Sequence, residues 1–265
     1  MTQPIQVTGE RASDYDEIGF IGQYLLAKET INEHLNVKQI DRPRVVDFGC
    51  GAGKSSFGVA QAINKNGEII GIDVSDNMIT RAVGNKARFN NACPNIQFDF
   101  LKIGGTIDAP EFPIADQYAD RVVSSIVFQE LQTQKALRGS LEEIFRILKR
   151  DGEFHGVFVS DKIIDEDFTA FSYADFPQNR RNFNRQKNFR ICRTTTLSQD
   201  IVWGRDRHWS ARKLKHAIGR AGFAELKIDY IRPKKGLNPF PNAPARRWKD
   251  ELITPPLMIV SACKH

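Results

Sequence analysis

The stretch that decides the fold is RVVDFGCGAGKSS, which runs from Arg44 to Ser56. Within it, Val45, Val46 and Phe48 form a short apolar run that is bounded by a glycine cluster. Such a run predicts a buried parallel strand that ends in a tight turn. The glycines after the strand let the backbone approach a ligand closely, because they carry no side chain.

The segments around this stretch alternate between strand-like and helix-like patterns. Apolar runs predict six further strands, at 68–74, 95–100, 120–128, 153–159, 224–231 and 257–263. Helical spacing predicts helices at 18–35, 54–64, 76–90, 137–148 and 210–221. This alternation is typical of an α/β fold in which helices cover both faces of a parallel sheet. Such folds bind ligands beyond the carboxyl ends of the strands, so functional residues are expected just after strands one to four.

The composition is that of a globular protein. The chain has 265 residues, 41% of them hydrophobic and 26% charged, with a formal net charge of +6. It contains no run of eighteen apolar residues and no apolar segment near its start, so neither a membrane span nor a signal peptide is expected. The four cysteines form no CxxC pair, so neither a zinc site nor a disulfide framework is indicated. Free thiols without an export signal predict a cytoplasmic location.

Three kinds of nucleotide site compete for the glycine cluster. A P-loop needs a glycine, then four further residues, before Gly-Lys-Ser/Thr, and the position of that first glycine is occupied here by Phe48. A dinucleotide fingerprint needs a glycine where Lys54 stands. The pattern present is an acidic residue followed by GxGxG, and this pattern favours a sulfonium cofactor.

On these residues the chain resembles the class I S-adenosylmethionine-dependent methyltransferases. The first motif of that family is an acidic residue at the end of strand one, followed by GxGxG. The resemblance extends strongly over residues 44–160. It implies a Rossmann-like seven-stranded sheet, an antiparallel seventh strand and a lid insertion after strand five. It also implies that the motif binds the cofactor through Asp47, Gly49, Cys50, Gly51 and Gly53.

The resemblance assigns further cofactor contacts to the ends of strands two, three and four. Asp73 ends strand two and is expected to accept hydrogen bonds from both ribose hydroxyls, with Val74 beside it. After strand three, the spacing favours Asp108 as the contact of the adenine amino group, with Asp99 as its rival. After strand four, the expected contacts around the reacting methyl group are Ser125, Ile126 and Gln129.

The sequence contains no diagnostic catalytic base. Glu130 and His155 are the leading candidates, with His208 and His216 as others. A base is needed only if the attacking group is protonated at neutral pH. The alternative for Glu130 is a carboxylate at a helix start, and the alternative for His155 is a packed core residue. No residue set indicates a resident metal.

Two segments are candidates for binding the acceptor. Residues 1–43 are predicted to form a helical cover, in which Tyr15 and Tyr24 could touch the acceptor, and residues 44–265 form the methyltransferase domain. Residues 161–208 are the predicted lid. Its stretch 178–193 carries six basic side chains, including Arg185 and Arg190, with phenylalanines between them. These groups suit a planar or hydrophobic acceptor that bears a carboxylate or phosphate. Nucleic-acid binding and a solvated structural surface are the two alternatives.

The functional prediction is in-line methyl transfer from S-adenosylmethionine to a small-molecule acceptor, such as an anionic or aromatic specialised metabolite. The chain lacks the Asn/Asp-Pro-Pro-Tyr/Phe motif of amino-group methylation and the Pro-Cys nucleophile of cytosine methylation. One alternative is an RNA methyltransferase that uses the basic C-terminal part, since 21 basic and 13 acidic side chains follow Arg150. Another is a protein of the same fold that binds or rearranges a ligand without methyl transfer. A homodimer is left as an open alternative.

Overall fold

The architecture comes from a computed structural model, which describes residues 21–163, 168, 171–172, 188–194, 201–234 and 248–265. Short 3-10 helices occupy Phe128–Glu130 and Asp250–Leu252. The other elements, in chain order, are α1 (Ile21–His34), β1 (Arg44–Phe48), α2 (Lys54–Ile63), β2 (Gly67–Asp73), α3 (Asp76–Ala92), β3 (Ile96–Lys102), β4 (Gly104–Thr106), β5 (Ala109–Glu111), β6 (Ala119–Ser125), α4 (Gln134–Ile147), β7 (Leu148–Val159), β8 (Phe171–Ser172), β9 (Asn188–Thr194), β10 (Ile201–Arg207), α5 (Ala211–Arg220), β11 (Ala224–Ile231) and β12 (Leu257–Cys263).

The main sheet has seven strands in the order β11-β12-β7-β6-β1-β2-β3. The strands from β7 to β3 in this order are parallel, whereas β12 is antiparallel to both of its neighbours. The strand order reverses between β1 and β6, which makes the carboxyl ends of these two strands the expected ligand site. The prediction of a Rossmann-like seven-stranded sheet with an antiparallel seventh strand is confirmed.

Helices cover both faces of the sheet. Buried side chains of α1, α2 and α3 pack on one face, and those of α4 and α5 pack on the other. Adjacent residues of β1 point to opposite faces of the sheet. Val45 packs on the face covered by α1, α2 and α3, and Val46 packs on the face covered by α4 and α5. A side chain caps three of the helices at the N-terminus, and these caps are the hydroxyls of Ser75, Thr133 and Ser210.

Two predicted strands differ from the structure by three or more residues at one end. The strand predicted at 120–128 ends at Ser125, because Ile126 has a positive φ of 55° and turns the chain. The strand predicted at 153–159 begins at Leu148, because its first residues pair with the chain end through Asp151 N to Lys264 O and Lys264 N to Gly152 O. The stretch through Gly104 and Gly105 forms the antiparallel hairpin β4–β5.

The predicted insertion at 161–208 contains a separate small sheet. Its three antiparallel strands lie in the order β10-β9-β8, and β10 contacts the Phe128–Glu130 turn. A lid role for this insertion, and the division into a cover at 1–43 and a domain at 44–265, stay predictions. In the part of the chain that the structure describes, no helix combines the length and apolar character needed to cross a membrane.

Candidate functional site

The glycine cluster forms a loop between β1 and α2 that lies at the switch point of the sheet. Gly49 has a positive φ of 74°, and a Cβ on it would lie 2.3 Å from Cγ2 of Val127. Only glycine therefore fits between the loop and the segment after β6. Gly51 also has a positive φ, of 53°, but a Cβ there would meet no atom within 4 Å. The backbone at Gly51 thus borders open space, into which a ligand can come close.

Hydrogen bonds tie this loop to the end of β2. The amides of Gly49 and Cys50 donate to the carbonyl of Ile72, over 2.7 Å and 3.1 Å. The amide of Gly51 donates to Oδ2 of Asp73 over 3.0 Å, and Oδ1 of Asp73 accepts from the amide of Ser75. Burial raises the pKa of Asp73, against the opposing effect of these backbone donors. Asp73 therefore joins the glycine loop to the start of α3, while Val74 beside it is exposed.

Asp47 lies fully buried beneath the loop. Its Oδ2 accepts hydrogen bonds from the hydroxyls of Ser55 and Ser56, each over 2.6 Å, whereas its Oδ1 is buried and has no hydrogen-bond partner. Burial raises the pKa of Asp47 to about 6, against the two serine bonds that lower it and with a smaller contribution from the charge of Asp73. Among the described residues, no lysine or arginine forms an ion pair with Asp47. The site therefore holds one buried carboxylate, that of Asp47, and one partly buried carboxylate, that of Asp73, and neither has a cationic partner among the described residues.

The segment after β6 forms the other side of the site. Ser125 is buried at the strand end, and Ile126 follows in the left-handed conformation that a β-branched residue rarely adopts. Gln129 is 7% exposed, and its Nε2 donates to the carbonyl of Ile126 while its buried Oε1 has no partner. Glu130 is partly buried and ends the short 3-10 helix. The positions predicted around the reacting methyl group therefore lie together on one turn.

The two candidates for the adenine contact lie in different places. Asp108 lies in the turn of the β4–β5 hairpin and accepts a hydrogen bond from the hydroxyl of Thr133, which caps α4. Asp99 is exposed in the middle of β3, opposite Ile70, and its carboxylate is 3.7 Å from Nζ of Lys86. Asp99 is therefore three residues short of the carboxyl end of its strand, which favours Asp108, and the adenine contact stays a prediction.

The structure does not bring His155 to the site. His155 pairs with Val123 in the sheet, two residues before β6 ends, and its ring lies 6.3 Å from that of His34 on α1. It is 3% exposed, with Nδ1 at 3.0 Å from the hydroxyl of Ser261 and Nε2 at 3.1 Å from the carboxylate of Glu153. Burial lowers its pKa, against the opposing effect of Glu153. The alternative of a packed core residue is the one that this environment supports.

The predicted acceptor contacts are described only in part. Tyr24 lies in the first turn of α1 and is partly buried. Arg190 belongs to β9, where it pairs with Arg205 of β10. Tyr15 and Arg185 lie outside the described residues. Within the described ranges, His, Cys, Asp and Glu side chains form no group of three or more that could hold a metal ion.

Sequence reasoning missed several residues that shape the site. The sequence predicts a role for Ser55 only as the end of a P-loop and none for Ser56, although a pair of hydroxyls eight and nine residues after Asp47 could indicate partners for this carboxylate. Val127, which packs on Gly49, and Thr133, which holds Asp108, had no local signal. Their roles arise from contacts between segments that are distant in the sequence.

Comparison with known proteins agrees with this geometry. A family model described as "Methyltransferase domain" matches residues 41–212. An arsenite methyltransferase of Halobacterium salinarum is 29% identical over 45% of this chain and 27% of its own length. A carboxy-S-adenosyl-L-methionine synthase of Helicobacter pylori is 28% identical over 58% of this chain and 56% of its own. The chain thus spans about half or less of the length of these curated relatives.

A solved structure from Mesorhizobium loti, titled an S-adenosylmethionine dependent methyltransferase, shares the fold with a TM-score of 0.58. The two chains are 18% identical, and the match covers 90% of this chain and 98% of the other. The resemblance found in the sequence, and S-adenosylmethionine as the cofactor of the family, are confirmed. The chain belongs to the methyltransferase domain family and has the class I S-adenosylmethionine-dependent fold.

Proposed function

We propose that this protein transfers the methyl group of S-adenosylmethionine to a small-molecule acceptor by in-line displacement. One observation carries the proposal: the backbone at Gly51 borders open space and donates to Asp73, and neither Asp73 nor the buried Asp47 has a cationic partner among the described residues. A ligand that brings positive charge and hydroxyl groups complements these features. Two relatives have names that fit this reading, since one is an arsenite methyltransferase and the other makes a derivative of S-adenosylmethionine.

The residues present fit the cofactor. The unpartnered Oδ1 of Asp47 supplies negative charge beneath the loop, which offsets the charge of the ammonium and sulfonium groups. Asp73, at the end of β2, has carboxylate oxygens that can accept from two ribose hydroxyls in addition to backbone amides. S-adenosylmethionine supplies an activated methyl group whose leaving group needs no protonation. The protein's own task is therefore to align the reactants and exclude water.

The turn after β6 is the part of the chain that we assign to alignment of the acceptor. Gln129 offers a buried carbonyl oxygen without a partner, so it can accept a hydrogen bond from an N–H or O–H group of the acceptor. Glu130 follows directly and is the leading candidate for a base on this turn. It would take a proton only from an acceptor that is protonated at neutral pH.

We assign acceptor specificity to the insertion and the N-terminal segment. Arg185 and Arg190 lie in the basic, aromatic stretch, and the described part of that insertion contacts the turn through β10. Arginine suits carboxylate and phosphate groups because its planar fork donates two parallel hydrogen bonds. An anionic or aromatic acceptor follows from this assignment, with Tyr15 and Tyr24 as further contacts.

The experiment that tests the proposal has two stages. Calorimetry with S-adenosylmethionine and S-adenosylhomocysteine establishes whether the site binds the cofactor. Transfer of labelled methyl groups into a cell extract, fractionated afterwards into small molecules, RNA and protein, then identifies the acceptor class. Label in small molecules is the expected result. If the label is found in RNA, and the affinity of the protein for RNA falls steeply as the salt concentration rises, the protein is an RNA methyltransferase and the proposal is wrong. Cofactor binding without label in any fraction would favour a non-transferring protein.

The same assay tests the insertion. Arg185→Ala and Arg190→Ala should each raise the amount of small-molecule fraction needed for half-maximal labelling, and they should leave cofactor affinity unchanged. Arg138→Ala is the matched control, because Arg138 forms an exposed pair with Glu142 on α4, over 3.4 Å. Loss of cofactor affinity in the two insertion variants would refute the assignment of these arginines to the acceptor.

A further inference from the structure

The Phe128–Glu130 turn is in contact with the glycine loop on one side. The side chain of Val127, directly before the turn, packs so closely on Gly49 that no Cβ fits there. The amide of Glu130 donates to the carbonyl of Val127 over 2.9 Å, which joins the turn to this contact. A movement of the glycine loop would therefore displace Val127 first and, through Val127, the turn.

The turn is in contact with the insertion on its other side. Trp209 lies two residues after β10, is 3% exposed, and donates from its indole Nε1 to the carbonyl of Phe128 over 2.8 Å. The guanidinium of Arg207, the last residue of β10, lies 5.2 Å from the centre of the Trp209 ring. These contacts connect the three-stranded sheet directly to the turn that carries Gln129 and Glu130.

The aromatic core fixes the side chain of Phe128, so the turn can change only in the orientation of its peptide groups. The ring of Phe128 is fully buried, stacked on Phe158 with centroids 4.6 Å apart and edge-on to Phe48 at 5.5 Å. The ring is thus fixed, so the direction of the peptide group after it depends on what its carbonyl binds. That carbonyl accepts from Trp209 and from the amide of Leu131. Loss of the hydrogen bond from Trp209 would leave the Phe128 carbonyl with the Leu131 amide as its one remaining donor among these two.

We propose that Trp209 is a positioning residue: its indole fixes the Phe128–Glu130 turn for the acceptor and couples cofactor binding at the glycine loop to the insertion sheet. The route runs from Gly49 through Val127 and Phe128 to Trp209 and β10. This inference rests on the proposed function, because the turn is assigned to the acceptor there. Trp209 is 3% exposed and acts through its bond to the Phe128 carbonyl, which makes it a positioning residue and not a catalytic one.

Hydrogen–deuterium exchange with and without S-adenosylhomocysteine tests this coupling in the full chain. In the wild-type protein, S-adenosylhomocysteine should slow exchange in the glycine loop, in the turn and in β10. In Trp209→Phe, the loop should still respond, whereas the response of β10 should fall by a factor of about two to ten, the equivalent of one hydrogen bond. Trp248→Phe, which also removes an indole, is the comparison variant.

A second comparison needs no ligand. Without S-adenosylhomocysteine, Trp209→Phe should accelerate exchange of the Glu130 and Leu131 amides by about two- to tenfold, because the turn has lost one hydrogen bond. Trp209→His, which keeps a ring N–H donor, should restore part of the protection. A purely structural role would change exchange in this region but would not remove the ligand-dependent response of β10.

Several results would overturn the proposal. One is a wild-type protein whose loop responds to S-adenosylhomocysteine while β10 does not, a comparison that requires no variant to fold. Others are a full β10 response in Trp209→Phe, or unchanged exchange of the two turn amides in the ligand-free variant. Failure of S-adenosylhomocysteine to bind the wild-type protein would instead refute the proposed function, and the ligand-free comparison would still test the role of Trp209.

Discussion

The same sheet contains two clusters of buried or partly buried charged side chains, and their charges are balanced in different ways. The loop cluster consists of Asp47 and Asp73 at the carboxyl ends of β1 and β2. The clamp cluster consists of Arg121, Glu153 and His155, further from the carboxyl ends of β6 and β7. In the clamp cluster, Arg121 lies 3.0 Å from the Glu153 carboxylate, so the charges neutralise each other. In the loop cluster, hydroxyls and backbone amides are the donors, and the negative charge has no cation.

We interpret the difference as one between a structural cluster and the cofactor-binding cluster of the proposed function. Arg121 also donates to the carbonyls of Leu35 and Asn36 over 3.0 Å and 2.9 Å, which holds the end of α1 against the sheet. Burial acts to raise the pKa of Glu153, but the bond from His155 and the charge of Arg121 together lower it. A carboxylate with such partners is stabilised in the ligand-free protein. The pKa of Asp47, by contrast, is raised to about 6 by its burial, which the bonds from the two serine hydroxyls offset only in part.

The largest effect is expected from a break in the clamp cluster. Arg121→Ala should lower the free energy of unfolding by about 3–5 kcal/mol, because it leaves Glu153 without its guanidinium partner and two carbonyls of the α1 end without a donor. Urea unfolding measures this loss. Arg138→Ala, which removes an exposed pair, should cost less than about 1 kcal/mol. Similar losses in the two variants would mean that the clamp contributes little.

The next effect is the pH dependence of the loop cluster. The pKa of Asp47 is about 6 in the folded chain and about 3.8 when unfolded, so between these values the folded state keeps a proton that the unfolded state has lost. Stability should therefore fall as pH rises from 4 to 6, by on the order of 3 kcal/mol, relative to Asp47→Asn. Urea unfolding of both proteins at several pH values measures this difference. Parallel pH profiles would show that Asp47 does not titrate in this range.

A smaller effect is expected in binding at the other carboxylate. Asp73→Ala should weaken S-adenosylmethionine binding by about tenfold or more, because it removes charge-assisted hydrogen bonds to the ribose. The control is Asp99→Ala, since Asp99 is an exposed aspartate on the neighbouring strand β3. Calorimetry at one pH compares the two variants. An unchanged affinity in Asp73→Ala would remove the ribose assignment.

The smallest effect is expected at His155. His155→Gln should leave cofactor affinity and the rate of methyl labelling within about twofold of the wild type, because its ring faces Glu153 and Ser261 within the sheet. Calorimetry and the labelling assay measure these quantities. A loss of labelling of about 100-fold with intact cofactor binding would restore His155 as a catalytic base and erase the distinction between the two clusters.

Much of the fold and of the cofactor side could be predicted from the sequence, because these features depend on local patterns. An apolar run such as Val45-Val46 predicts a buried strand, and a glycine cluster after it predicts a backbone that approaches another segment closely. The spacing from Asp47 to Asp73 follows from one helix and two strands of ordinary length. Even so, the predicted start of β7 is wrong. The strand begins earlier because its first residues pair with the chain end, which local propensity does not record.

The sequence by itself determined the α/β class, the seven-stranded sheet, the glycine loop and the acidic strand ends. Only the tertiary structure decided which charges are balanced and which are not. His155 has the residue type of a base, yet its burial beside Glu153 places it in the core. Trp209 has no motif, yet its indole reaches Phe128, 81 residues earlier in the chain. The physical reason is that charge balance and hydrogen bonding are set by neighbours in space, which a local pattern of residue types does not record.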